Sequence, residues 1–156
     1  MAEAAIANEF PFKYLDEMIA DLDAHKQSWA RTSIAERITQ ALGRYGNPRD
    51  RLLGVFEAQG ELFTEPGYHG CAFVSASAES HPGDRIEEAA DAYRGWVRAL
   101  FTDLAEQAGA SDPQALARQL HLLYDGSGQA ARMDHDLAAA AAARAAAATL
   151  LDAALA

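Results

Sequence analysis

The amino-acid sequence predicts an all-α domain. Apolar residues recur at three-and-four spacing in one segment after another, and residues that start or stop helices stand where each run of spacing ends. The C-terminus adds a third observation: thirteen of the last twenty residues are alanine, the strongest helix former. There is little sign of strand.

Phe12, Leu15, Ile19, Leu22, Lys26 and Trp29 follow a helical stripe, with Pro11 at a plausible first helical position. Ser33 and Glu36 are spaced as a capping box, and Ile34, Ile38, Ala41, Leu42 and Tyr45 continue the stripe. The helix therefore either restarts here or runs through. Gly46, Asn47 and Pro48 stop one helix and start the next. Asn47 is suited to the N-cap, Pro48 to the first helical position, and Asp50 to the positive helix end. This helix runs to Phe63, and Leu52, Val55, Phe56, Gln59, Leu62 and Phe63 give it an aromatic inner face. Pro66, Gly67 and Gly70 mark a loop. Helix resumes near Phe73 and breaks at 80–83, because proline disfavours helical geometry in the residue before it.

Asp84 with Glu87 caps the next helix, in which Ile86, Ala90, Tyr93, Val97, Leu100, Phe101 and Leu104 form one stripe ending before Gly109. Asp112 and Pro113 open another by the same logic. It carries Leu116, Leu120, Leu122, Leu123 and Tyr124, and leucines on more than one side predict burial on two faces. Gly126 and Gly128 each cost about 1 kcal/mol relative to alanine, which points to close backbone approach or a local break. Asp134 is the expected N-cap of the final helix. There Leu137, Ala141, Ala148, Leu151 and Leu155 share a face whose small side chains admit a partner helix. The expected architecture is six or seven helices in one domain over residues 10–156, with residues 1–9 an N-terminal remnant or disordered lead.

Composition narrows the function. A chain of 156 residues with 50% hydrophobic and 23% charged residues suits one globular domain with a sizeable core. Its formal net charge of -10 opposes binding to phosphate backbones, which requires clustered Lys and Arg. One cysteine excludes an internal disulfide framework, and no Cys/His spacing of the zinc type occurs. Neither a secretory leader nor a membrane span is apparent, so a soluble cytoplasmic protein is expected.

Four pieces of sequence then occur in order. They are Phe10-Pro11-Phe12-Lys13; Asn47-Pro48-Arg49-Asp50-Arg51-Leu52-Leu53; Gly70-Cys71-Ala72-Phe73 with Ala76 and Glu79; and the segment from Asp112-Pro113 to Leu120 with Tyr124-Asp125-Gly126. Together, from Phe10 to the C-terminus, they resemble the C-terminal ligand-binding and dimerisation domain of the TetR family of bacterial transcriptional regulators. The resemblance implies a small, partly apolar effector. It also implies a homodimer in which the last two long helices of each copy form a four-helix arrangement. DNA contact would come only through a helix-turn-helix, which is absent from these residues. The expected function is a ligand-sensing and dimerisation domain. The alternative is an interaction protein without a helix-turn-helix that heterodimerises with a full-length regulator.

Phe56, Phe63, Phe73, Tyr93, Trp96 and Tyr124 are either core residues or the lining of an apolar cavity with a few polar handles, and the resemblance favours the cavity. Cys71 reads as a small packing residue, with lining of the ligand pocket and a reactive thiol as the alternatives. His121, one helical turn from Asp125, would offer a hydrogen bond. The expected dimer contacts are Leu116, Leu120, Leu123, Ser127, Leu137, Ala141, Ala148 and Leu151. Asp21 with His25, and Asp134 with His135 and Asp136, are incomplete as metal sites. Ser75, Ser77, Glu79 and His81 hold residue types used in hydrolysis but lack a nucleophile-elbow context. No phosphate loop or dinucleotide fingerprint is present. Neither an enzyme nor a cofactor is expected.

Overall fold

The computed structural model describes residues 34–68, 70, 82–83 and 85–156. These form α1 (Ile34–Leu42), α2 (Pro48–Phe63), α3 (Arg85–Ala108), α4 (Pro113–Met133) and α5 (Ala139–Ala154), with no strand among the described residues. The all-α class is as the sequence predicts. The further helices expected over 12–29 and near Phe73, and the lead at 1–9, lie outside the described residues.

The local signals act as their chemistry requires. Asn47 is extended, and its side-chain oxygen accepts from the Asp50 backbone N–H at 2.9 Å, with Pro48 next in line. Asp112 does the same for Ala115 at 3.0 Å. At the end of α3, Gly109 takes a φ of 86°, which a side chain would disfavour. Two backbone bonds, Gly109 to Glu106 and Ala110 to Ala105, close the helix. Asp84 lies outside the described residues; the Glu87 carboxylate accepts from the Gly83 N–H at 2.5 Å.

α4 continues through Gly126 and Gly128 without a break; a Cβ on Gly128 would stand 3.5 Å from Gln59 Nε2 of α2, and one on Gly126 would meet nothing within 4 Å. One expectation needs correction: Asp134 does not start the last helix but terminates α4, its N–H donating to the Ala130 carbonyl. His135 then takes a left-handed φ of 56°, and Asp136 supplies the side-chain acceptor, bonding the Ala138 N–H at 2.9 Å. Three polar residues in succession all suit a helix start. None of them is the N-cap: the helix starts after Ala138, which has no side-chain cap, and Asp136 braces the turn before it.

α2 packs against α1, α3, α4 and α5, while α3 packs on α4 and α4 on α5. Leu52, Leu53, Gly54, Val55 and Phe56 are buried in succession. Consecutive helical residues point about 100° apart, so five in a row are covered on every side. α2 is therefore the central element. Gly60 lets α5 lie close, since a Cβ there would stand 3.2 Å from that of Ala140. Gly95 on α3 is exposed, with nothing within 4 Å of a Cβ built on it.

These two glycines make a matched test. Gly95→Ala is expected to raise stability by about 1 kcal/mol through helix propensity alone. Gly60→Ala is expected to forfeit that gain, because Ala140 must give way. Urea unfolding midpoints of the two variants measure the difference.

Candidate functional site

α2, α3 and α4 bring most of the expected cavity residues together. Phe56, Phe101 and Tyr124 form a triangle of rings with centroids 5.9, 6.2 and 6.4 Å apart, one ring from each helix. Tyr93 stacks against the half-buried Trp96 at 6.4 Å, and its hydroxyl lies 2.9 Å from that of Tyr124. Phe101 belongs to this cluster, although the sequence marked it only as one residue of a helical stripe. Phe63 stands apart. It packs in a second cluster with Ala131, Ala139 and Ala140 and against the Tyr68 ring at 5.2 Å. Cys71 and Phe73 lie outside the described residues, as do Asp21, His25, Ser75, Ser77, Glu79 and His81.

A buried amide ties the aromatic cluster to α4. Gln59 of α2 donates through Nε2 to the Tyr124 carbonyl at 2.8 Å, and its Oε1 lies 2.5 Å from Ser127 Oγ. The Ser127 hydroxyl also stands 2.9 Å from the Tyr124 carbonyl, so its one proton is shared between two acceptors. Both ends of the Gln59 amide are thus used, as a buried polar group requires. Sequence reading placed Gln59 on the inner face without a role and Ser127 at a dimer interface. The heptad-like position of a polar residue among apolar ones was the available signal.

At the margin of this cluster, Arg94 of α3 grips the Asp125 carboxylate with both Nη atoms, at 2.8 and 3.1 Å. His121 Nε2 lies 3.7 Å from the same carboxylate. Burial pushes the His121 imidazole below its usual titration range; Asp125 opposes the shift, while Arg94 and Arg98 reinforce it. His121 is therefore a neutral hydrogen-bonding group at neutral pH. Aromatic rings, a hydroxyl pair, an amide and a neutral imidazole offer apolar contact with a few directional bonds. Among the described residues, no group of three or more His, Cys, Asp or Glu side chains is placed to hold a metal ion. Nor is any helix there long and apolar enough to cross a membrane.

The expected dimer residues divide by exposure. Leu116, Leu120, Ser127 and Leu151 are buried inside the chain itself, so the interface expectation is corrected for these four. Their side chains face α2 and α3 or their neighbours in the core and have no surface left to offer. Leu123 and Ala148 are half-buried, while Leu137 and Ala141 are exposed. Among the described residues, the large apolar side chains that remain exposed are Leu122 at 68%, Met133 at 73% and Leu137 at 57%. Along α4, Ala115, Gln119, Leu122, Gly126, Gln129 and Met133 are all exposed and alternate in steps of four and three.

Comparison with solved structures places this fold. A crystal structure of a TetR-family transcriptional regulator from Streptomyces coelicolor matches with a TM-score of 0.74 and 26% identity, covering 81% of this chain and 68% of that one. A TetR-type transcriptional regulator from Streptomyces avermitilis matches with a TM-score of 0.63 and 34% identity, covering 70% of this chain and 60% of its own. No protein-family model and no curated protein matches the chain. The helical fold of the described residues is that of TetR-family regulators, as the resemblance implies; residues 10–13 and 71–79 lie outside the described residues.

The His121 environment has a consequence for pH. The folded value lies below the ordinary 6.5, so just below about pH 6.5 the unfolded chain binds a proton that the folded chain does not. Stability is expected to fall as the pH drops from there toward the folded value, and to be indifferent to this group above about pH 7. His121→Gln is expected to flatten that slope in urea titrations at a series of pH values. An unchanged slope would mean that the imidazole is not held neutral.

Proposed function

We propose that this chain, whose fold is that of TetR-family transcriptional regulators, is the ligand-sensing and dimerisation domain of such a bacterial regulator, acting in the cytoplasm on a small, partly apolar effector. The carrying observation is the match of the helical fold to two such regulators. The aromatic cluster with its few polar groups supports the effector class, since rings give contact area and the Tyr93 and Tyr124 hydroxyls give direction. Phe56, Tyr93, Trp96, His121 and Tyr124 are the proposed site residues, with Cys71, Phe63 and Phe73 kept as candidates in its walls. An effector shifts helix positions only as far as it binds one arrangement better than another. In this reading the protein does no chemistry on the effector.

A second copy of the chain is the proposed partner of the exposed stripe on α4. Residues in four-three steps form the seam of two packed helices, and Gly126 at its centre permits close approach. The outer face of α5 offers Ala141, Ala145 and Ala148, small enough for the same purpose. Two such helices from each copy make a four-helix arrangement about a two-fold axis. A heterodimer with a longer regulator would use the same surface. Direct DNA contact by these residues is not proposed, since their net charge of -10 repels phosphate.

Two measurements test the reading. A panel of small, partly apolar molecules is expected to contain at least one that raises the melting temperature saturably. The same molecule should alter Trp96 emission, an effect lost in Trp96→Phe; absence of any saturable binder would remove the effector reading. Sedimentation is expected to show a dimer at micromolar concentration. Leu122→Asp combined with Met133→Asp should yield a monomer of unchanged helical content, and a monomeric parent protein would rule the interface out.

A further inference from the structure

Among the described residues α1 packs chiefly against α2, with Ala35, Ile38, Ala41 and Leu42 as its buried residues. Polar contacts at its rim add to that packing. Along that rim stand Glu57 and Glu61, one turn apart on α2, and Glu65 just past its C-cap, and each engages a different residue of α1 or the turn after it. Glu65 accepts from Arg37, Glu61 from Arg44 at 2.5 and 3.4 Å, and Glu57 from the Tyr45 hydroxyl. The pairs run in opposite directions along the chain, as antiparallel helices demand. Two further contacts fix the turn: Arg51 Nε donates to the Tyr45 carbonyl at 3.0 Å, and the Tyr45 ring lies over Gly54 where a Cβ would stand 2.5 Å from Cε2.

Glu57 is also held from the other side. Its second oxygen accepts from Arg144 Nε of α5 at 2.7 Å, so one carboxylate joins the turn after α1 to the last helix. We propose that Glu57, Glu61 and Glu65 form an electrostatic latch holding α1 on α2, and that Glu57, shared with Arg144, makes the latch sensitive to the position of α5. The inference concerns coupling within the chain and stands whether or not the effector reading holds. A shift of α5 that withdraws Arg144 frees the carboxylate to rotate, and the Tyr45 hydroxyl loses a fixed acceptor. The path from the last helix to the first is then two hydrogen bonds long.

Hydrogen exchange of the full chain, read by mass spectrometry, tests this. In E57Q/E61Q/E65Q the segment 34–45 is expected to exchange about tenfold faster, as expected when three modest charge pairs are removed, while 85–108 keeps its parental rate. Added salt should accelerate 34–45 in the parent and have little effect in the triple variant. Arg144→Gln alone should accelerate 34–45, and combining it with Tyr45→Phe should add less than the sum of the single effects. The Tyr45 phenol, which Glu57 already holds above its usual range, should titrate higher still in Arg144→Gln and lower in Glu57→Gln. Equal acceleration in every helix, or a parental rate over 34–45 in Arg144→Gln, would overturn the proposal.

Discussion

The Gln59 side chain crosses from α2 to α4 with its donor on the Tyr124 carbonyl and its acceptor against Ser127, three positions along α2 from Phe56, which has no exposed surface. The two residues divide the work of holding the central helix. Phe56 contributes apolar burial, which is large but tolerant of direction. Gln59 contributes direction: sliding α4 along α2 would strand a buried amide, at a cost of about 1–3 kcal/mol. α3 and α5 pack against both helices, and the amide fixes register where α2 and α4 meet. The aromatic triangle can close because that register brings Tyr124 opposite Phe56 and Phe101.

In the proposed function, sensing and assembly would fall on different surfaces of the same helix. The inner side of α4 carries Leu116, Leu120, Tyr124 and Ser127 into the core, with His121 beside them. Its outer side carries Leu122, Gly126 and Met133 into solvent. On that proposal, a molecule bound at the inner side would move the outer side with it if the twenty-one-residue helix shifts as one body. The carboxylates of Glu57 and Glu61 on α2 and of Glu65 just past its end hold the short first helix and the turn after it by polar contacts. Core packing resists small displacements, whereas exposed ion pairs yield to them readily. The domain is thus stiff at its centre and adjustable at α1.

Much of the fold was legible because its signals are local. Asn47 with Pro48, and Asp112 with Pro113, name helix starts through bonds spanning three residues, and Gly109 names an end through its own backbone. The final helix was legible from alanine alone, but its start was not, since Asp134 ends the preceding helix and the last one begins after Ala138 with no side-chain cap. The leucines of α4 announced two apolar faces without saying which the chain would cover for itself. Leu116 and Leu120 turned inward and Leu122 outward. The site was half legible: the aromatic residues stood out, whereas the Gln59–Ser127 bond joins residues 68 apart and leaves no trace in local pattern. The same distance hid the link from Arg144 to Glu57.

The dependence of the whole domain on α2 is open to direct measurement. Native-state hydrogen exchange, followed residue by residue in rising denaturant, reports the free energy at which each helix opens. If α2 is the element on which the others rest, its amides at Val55, Phe56 and Gln59 exchange only through global unfolding, at the same free energy as urea denaturation gives. Opening of α2 at a lower free energy than α3 and α4 would contradict the account.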